Sequence, residues 1–354
     1  MLWAHEIGHN AGRKHAWDRS DHTPALTRIP GVTQVFAWTG RNSQQNINSL
    51  VANDTFLGIR RLAEKKTFTS NPQARSNDGP ALVFANGKAY LAQSGRGSNR
   101  RIFITSTDDG LNWSGKQNTG ESSNYKPALA WFKNKLYLAW TGRDSGRHIN
   151  VMSGLIGSDG SISWGGKRTF TGSPFKGRSD DGPALGVAGD RLYLAFSGRG
   201  SKHRIFIAST TNGSSWTSKS SVGRKSDRLP ALAWFNNTLY LAWTGRGSEH
   251  YIHLMPGAVS SSGSVSWGAR IRFDGSPRAR SNDGPSFDIR NSRLRLIWSG
   301  RGSQKRMQVT ESSNGTSWNA KRFLTNTDKL MLSSLGSNRT RVSNVECAYF
   351  RLYL

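Results

Sequence analysis

The sequence has a single cysteine, Cys347, among 354 residues. That excludes an internal disulfide framework and a zinc site built on cysteines. No apolar run approaches the ~20 residues of a membrane-spanning helix, which excludes an integral membrane protein of that kind. The start lacks the basic lead and the apolar stretch of a signal peptide. The chain therefore either stays inside the cell or is a piece of a longer exported product. Acids are scarce: Asp+Glu number 22 against 49 Lys+Arg, a net charge of +27. Such a balance favours polyanionic partners, among them nucleic acid, acidic glycans and anionic membrane surface. Yet the basic residues are spread along the chain, without a Lys/Arg run or a nucleic-acid motif, so nucleic acid is not the expected partner. Between residues 23 and 330 there is no long amphipathic helical pattern.

What is abundant points to turns and strands. The 39 glycines, with many Ser and Asn, are the habit of an all-β protein. Thirteen Trp, 15 Phe and 8 Tyr exclude a disordered chain. A single core stops growing near ~250–300 residues, so a chain of this length is two domains or a repeat array.

The repeat is explicit. The string [Ser/Thr]-Gly-Arg-x-Ser occurs six times, with its arginine at Arg41, Arg96, Arg143, Arg199, Arg246 and Arg301. The spacings are 55, 47, 56, 47 and 55 residues, so long and short units alternate. A period near ~40–50 residues predicts a propeller or another array. Each unit reads as four short strands. In the third unit these are Pro127-Ala128-Leu129-Ala130-Trp131, Leu136-Tyr137-Leu138-Ala139-Trp140, His148-Ile149-Asn150-Val151-Met152 and a short basic strand after a Gly turn and a Trp. The expected fold is an all-β six-bladed β-propeller over residues 18–330, with a short helical N-terminal segment over residues 1–17 and a C-terminal segment over residues 331–354.

A second motif leads into each first strand. A serine (Ser20, Ser76, Ser123, Ser179, Ser226, Ser281) stands four residues before a proline, followed by Asp or Asn. The next position varies: His22, Asp78, Tyr125, Asp181, Arg228 and Asp283. In an up-and-down blade this lead-in and the Gly-Arg corner fall at the same end. The corner arginines and Asp78, Asp181 and Asp283 are therefore expected together around the channel mouth. Two readings follow: the arginines pin neighbouring blades through Asp or Asn, or they form sites for sugar hydroxyls and carboxylates. Trp38, Trp140, Trp243 and Trp298, ending the second strands, are candidate sugar-stacking or core aromatics.

The turns after the third strands carry a resemblance. Ser106-Thr107-Asp108-Asp109-Gly110-Leu111-Asn112-Trp113 matches the Asp-box, Ser-x-Asp-x-Gly-x-x-Trp, with relaxed copies at Ser209 to Trp216 and Glu311 to Trp318. Residues 18–330 resemble the Asp-box (BNR-repeat) propellers of the sialidase superfamily. In that family the box is structural and lies away from the active face. The resemblance further implies a Tyr nucleophile helped by Glu, for which Tyr125 with Glu121 is the candidate pair. An Arg-Ile-Pro that binds the sialate carboxylate is matched by Arg228-Leu229-Pro230, with Arg246 downstream. No unit combines that arginine with a downstream Asp acid, so the catalytic set is incomplete.

The N-terminus resembles something else. His5-Glu6-Ile7-Gly8-His9-Asn10-Ala11-Gly12-Arg13-Lys14-His15 matches the zinc-binding segment of metzincin metallopeptidases. On a helix His5 and His9 share one face, His15 returns as third ligand, and Glu6 can take a proton from zinc-bound water. The rest of a metzincin is missing, so the segment reads as a remnant. The combined expectation is a monomeric, extracellular propeller that binds acidic or fucosylated-type sugars and targets an exported zinc metallopeptidase. The alternatives are a sialidase-type exo-glycosidase and a metzincin fragment whose propeller binds protein.

Overall fold

The computed structural model describes residues 19–324, apart from 31–32, 42, 54–64 and 71. The 1–17 segment, with the candidate ligands His5, His9 and His15 and with Glu6, lies outside them, as does 331–354.

The described chain is a six-bladed all-β propeller, in agreement with the spacing of the corners. Each blade is one antiparallel meander whose strands follow in chain order. The first strands are Ala25–Ile29, Ala81–Ala85, Ala128–Phe132, Ala184–Ala188, Ala231–Phe235 and Ser286–Arg290. They line the axis around a channel cavity of about 120 Å³. The second strands, such as Lys135–Thr141 and Thr238–Thr244, are buried along almost their whole length. That burial explains their near-continuous apolar sequence, Leu-Tyr-Leu-Ala-Trp in two blades. The long units owe their length to a fourth strand in two pieces: Ile162–Trp164 with Arg168–Thr169 in blade 3, and Val265–Trp267 with Ile271–Arg272 in blade 5. Among the described residues there is no helix, and so none long and apolar enough to cross a membrane.

The core lies between blades. Trp140 packs with Tyr90 and Ile104 of blade 2, and Trp243 with Tyr193 and Ile207 of blade 4. Trp38, Trp140, Trp243 and Trp298 are no more than 2% exposed, so these four aromatics are core. Burying side chains of this size contributes roughly 1.5–3 kcal/mol each.

Turns after the third strands are self-capped. The Asp109 carboxylate accepts from the N–H groups of Leu111 and Asn112, both at 2.7 Å. Asn212 and Asn314 do the same in blades 4 and 6. Gly110 supplies φ of 78°, and the Trp113 indole donates to its carbonyl at 3.2 Å. The cap is the residue directly before glycine. Asp108, one place earlier, is exposed and faces Lys88 at 3.1 Å.

Ring closure joins blade 6 to blade 1. Thr23 donates its N–H to Asp283 at 2.6 Å and its hydroxyl to the Gly284 carbonyl at 2.8 Å. Deeper in the same junction, buried Arg295 donates to Asp288 at 3.1 Å and to Gln34 at 2.9 Å.

Candidate functional site

The corners and the lead-ins converge on one face, as strand order requires. Their repeated polar groups are spent on each other. The Ser or Thr of every corner donates to the carbonyl of the varied residue in the next blade. Thr39 reaches Asp78, Ser94 reaches Tyr125, Thr141 reaches Asp181, Ser197 reaches Arg228, Thr244 reaches Asp283 and Ser299 reaches His22, all at 2.6–2.7 Å. The lead-in serines are fully buried. Five of them return a bond to the end of their own second strand, as Ser179 does to the Ser197 carbonyl at 2.7 Å.

The corner arginines act across junctions too. Arg41 donates to the carbonyl of Ser303, Arg143 to Asn99, Arg199 to Ser145 and Arg246 to Ser201, at 2.5–3.2 Å, and Arg96 donates to Ser43. Each acceptor lies in the preceding corner. Arg41, Arg199 and Arg246 also hold Asp21, Asp180 and Asp227 at 2.8–3.3 Å. The Arg301 backbone N–H donates to the Arg280 carbonyl at 3.2 Å, as that of Arg199 does to the Arg178 carbonyl at 2.9 Å.

Sequence reading missed a third six-fold position, four residues after each corner arginine. Gln45, Arg100, Arg147, His203, His250 and Lys305 all have φ between 41° and 51°. This left-handed backbone is uncommon for residues with a side chain. It is held because the carbonyl of each accepts the N–H of the next lead-in serine at 3.0–3.1 Å. Residue type varies at this position, so only its fixed spacing could have revealed it.

Asp78, Asp181 and Asp283, one per short blade, form a ring of staples at the mouth. Each accepts from the glycine after it: Gly79, Gly182 and Gly284. Each also accepts a backbone N–H of the next long blade: Lys126 at 2.8 Å, Leu229 at 3.1 Å and Thr23 at 2.6 Å. The glycines are required by closeness, since a Cβ on Gly284 would stand 2.5 Å from the Leu229 carbonyl oxygen. Burial, and then the neighbouring Asp283 charge, push the Asp78 carboxyl up to about 6. The same two causes raise Asp181 well above the usual carboxylate range. The ring carries its own cation, Lys126, which burial pushes down to about 8 against the pull of the three acids. His22 stands 3.5 Å from Asp78.

The long blades present the other varied side chains. The Tyr125 hydroxyl accepts from Arg147 at 2.8 Å, and the same guanidinium holds Asp180. Glu121 holds Lys167 at 3.0 Å, so the sialidase-type pair Tyr125 and Glu121 has separate partners. The Arg228 side chain is exposed and makes no hydrogen bond or ion pair among the described residues.

Two clefts open between blades on this face. One, of about 500 Å³, lies between blades 1 and 2, lined by Arg75, Arg96, Phe103 and Lys116. The other, of about 570 Å³, lies between blades 4 and 5, lined by Arg224, Glu249, Tyr251, His253, Arg270 and Arg272. Both volumes fall in the range of small-molecule sites, ~300–1,000 Å³. In the second cleft Tyr251 is flanked by the guanidinium groups of Arg272 and Arg278, 5.2 and 5.6 Å from its ring centre.

Comparison with known proteins places the fold. No protein-family model matches the sequence, and no curated protein matches it either. Among solved structures, the chain is similar to a protein of unknown function from Dyadobacter fermentans, with a TM-score of 0.58 at 12% identity over 82% of this chain and 93% of that one. It is similar to the lectin BP39L from Burkholderia pseudomallei, with a TM-score of 0.56 at 10% identity over 87% and 100%. The GH43_1 enzyme from Xanthomonas citri, solved with xylotriose, aligns with a TM-score of 0.47 at 14% identity over 70% and 90%. At these identities the likeness is one of fold. The class defined is a six-bladed β-propeller.

Proposed function

We propose that this chain is a glycan-binding propeller whose site lies on the corner face at blade 5. The observation that supports the reading best is the cleft between blades 4 and 5. It is concave, and it offers an aromatic ring, hydrogen-bonding side chains and the Arg270 guanidinium, which has no hydrogen bond or ion pair among the described residues, a set that suits sugar rings and their polar substituents. Arg228 stands at the mouth beside it; burial, then Arg301 and Arg228, lower the pKa of His250, which lines the cleft. Similarity in fold to a lectin agrees with a sugar ligand. The finer reading makes the propeller the targeting module of an exported zinc metallopeptidase. It rests on the His5, His9, His15 and Glu6 motif alone.

A glycan array probed with the full chain, with and without a chelator, tests both parts. The expected outcome is binding that survives chelation, because the site uses side chains of the propeller. Metal analysis should give at most one zinc per chain, lost in His9→Ala. Binding that vanishes with the metal would move the site away from blade 5.

A further inference from the structure

The pairing of long and short blades allows one junction to be compared with another. Blade 3 packs on blade 2 as blade 5 packs on blade 4, and the strand registers correspond. Asn150 pairs with Thr169 where His253 pairs with Arg272, and Val151 with Arg168 where Leu254 pairs with Ile271. Glu121 precedes the residue opposite Arg101 as Arg224 precedes the residue opposite Arg204.

At the junction of blades 2 and 3 these positions satisfy one another. Glu121 holds Lys167 at 3.0 Å. The Asn150 side-chain oxygen accepts the Thr169 hydroxyl at 2.6 Å. Blade 1 repeats the second bond, from Thr67 to Asn48 at 2.8 Å.

At the junction of blades 4 and 5 the same four places hold Arg224, Arg270, His253 and Arg272. An acid–base pair has become two cations. An amide–hydroxyl bond has become an imidazole beside a guanidinium. Arg270 and the adjacent Lys225 make no side-chain hydrogen bond or ion pair among the described residues, and Arg224 finds only the Met255 sulfur at 3.4 Å. Arg272 is balanced by Asp274 at 2.6 Å. His253 is 8% exposed, its ring stacked on Trp243 at 5.3 Å, and its buried Nδ1 has no hydrogen-bond partner among the described residues. Burial, then Arg270, Arg272 and Arg224, push its pKa down to about 4. It is therefore neutral at pH 7, a polar floor under a cationic cleft. Where blade 2 supplies an internal carboxylate, blade 4 supplies none, and about 570 Å³ stand open.

We propose that the cleft between blades 4 and 5 binds an anionic substituent of a sugar, a sulfate or a carboxylate, between Arg224 and Arg270. The external anion takes the place that the Glu121 carboxylate fills at the other junction. Guanidinium forks match such groups with paired, charge-assisted hydrogen bonds. Tyr251, flanked by Arg272 and Arg278, lines the same cleft. This assignment deepens the glycan reading and rests on it.

Calorimetric titration of the full chain with three hexasaccharides tests it: a heparin-derived one, an oligogalacturonate and neutral xylohexaose. The first two separate sulfate from carboxylate. At least one of them should bind about tenfold or more tighter than the neutral sugar. Arg224→Glu rebuilds, with Arg270, the pair seen at the other junction, so the fold should persist. It should remove that preference. Arg270→Ala, which adds no charge, should act in the same direction, and Glu121→Gln should leave the preference intact. Equal affinity for charged and neutral sugars would overturn the anion assignment while leaving glycan binding in place. Absence of binding to any sugar would remove both. An oligonucleotide of equal charge binding more tightly through Arg224 and Arg270 would give the site to nucleic acid instead.

Discussion

The channel mouth and the cleft between blades 4 and 5 lie on one face and are both rich in charge. They differ in where that charge goes. At the mouth, hydroxyls, carboxylates and corner arginines repeat around the ring, and nearly every one is bonded to the neighbouring blade. In the cleft, Arg224, His253 and Arg270 depart from the repeat, and none of the three forms an ion pair with an acid among the described residues. The difference teaches that repetition in this propeller marks latches between blades, and departure from it marks room for a ligand. A six-fold motif has six identical structural jobs, because every junction must be closed in the same way.

The largest expected effect is at the mouth. Asp283→Ala strands the N–H groups of Thr23 and Gly284 at the junction that closes the ring. Leaving two buried donors unmet costs roughly 1–3 kcal/mol each, which lowers the melting temperature by roughly 5–10 °C in a protein of this size. Calorimetry in dilute buffer reads it directly. A change below about 2 °C would mean that the carboxylate ring does not hold the blades and would break the comparison at its stronger side.

A smaller effect sharpens the same point through pH. The Asp78 carboxyl lies near 6 in the folded chain against 3.8 in a free side chain. The folded state thus binds more protons than the unfolded state within that window, and stability rises as pH falls through it. The penalty for ionising Asp78 is complete above about pH 6. Between pH 7 and pH 5 the wild type should therefore gain melting temperature relative to Asp78→Asn, whose side chain does not titrate. Parallel curves for the two proteins would show that Asp78 is not desolvated as its position requires.

The fold was legible because its signal is periodic. Six Gly-Arg corners at alternating spacings fix six blades, and strand parity puts the corners and lead-ins at one end. The latches were legible as a choice between pinning and ligand binding, and contacts such as Arg199 to Ser145 support pinning. In the turn after the third strand of blade 2, Asp108 fits the Asp-box string while Asp109, one residue later, makes the capping bonds. The cleft was legible only in part: Arg246, which lines it, belongs to a corner motif, whereas Arg224, His253 and Arg270 come from a fourth strand, a third strand and the lead into another fourth strand, at positions without a motif. Arg224 and Arg270 become informative only beside Glu121 and Lys167, and that correspondence exists only once strand register is known. Tyr125 and Glu121 show the converse, since residues close in sequence have separate partners, Arg147 and Lys167.

The most direct measurement is the melting shift produced by a saturating anionic hexasaccharide in three proteins: wild type, Asp78→Asn and Arg270→Ala. The two regions predict opposite patterns. Asp78→Asn should change the melting temperature of the free protein and keep the ligand-induced shift. Arg270→Ala should leave the free protein within about 1 °C of wild type, as an exposed substitution does, and lose most of the shift. If Arg270→Ala keeps the full shift while folded Asp78→Asn loses it, the ligand sits at the mouth, and the division between latch and site is contradicted.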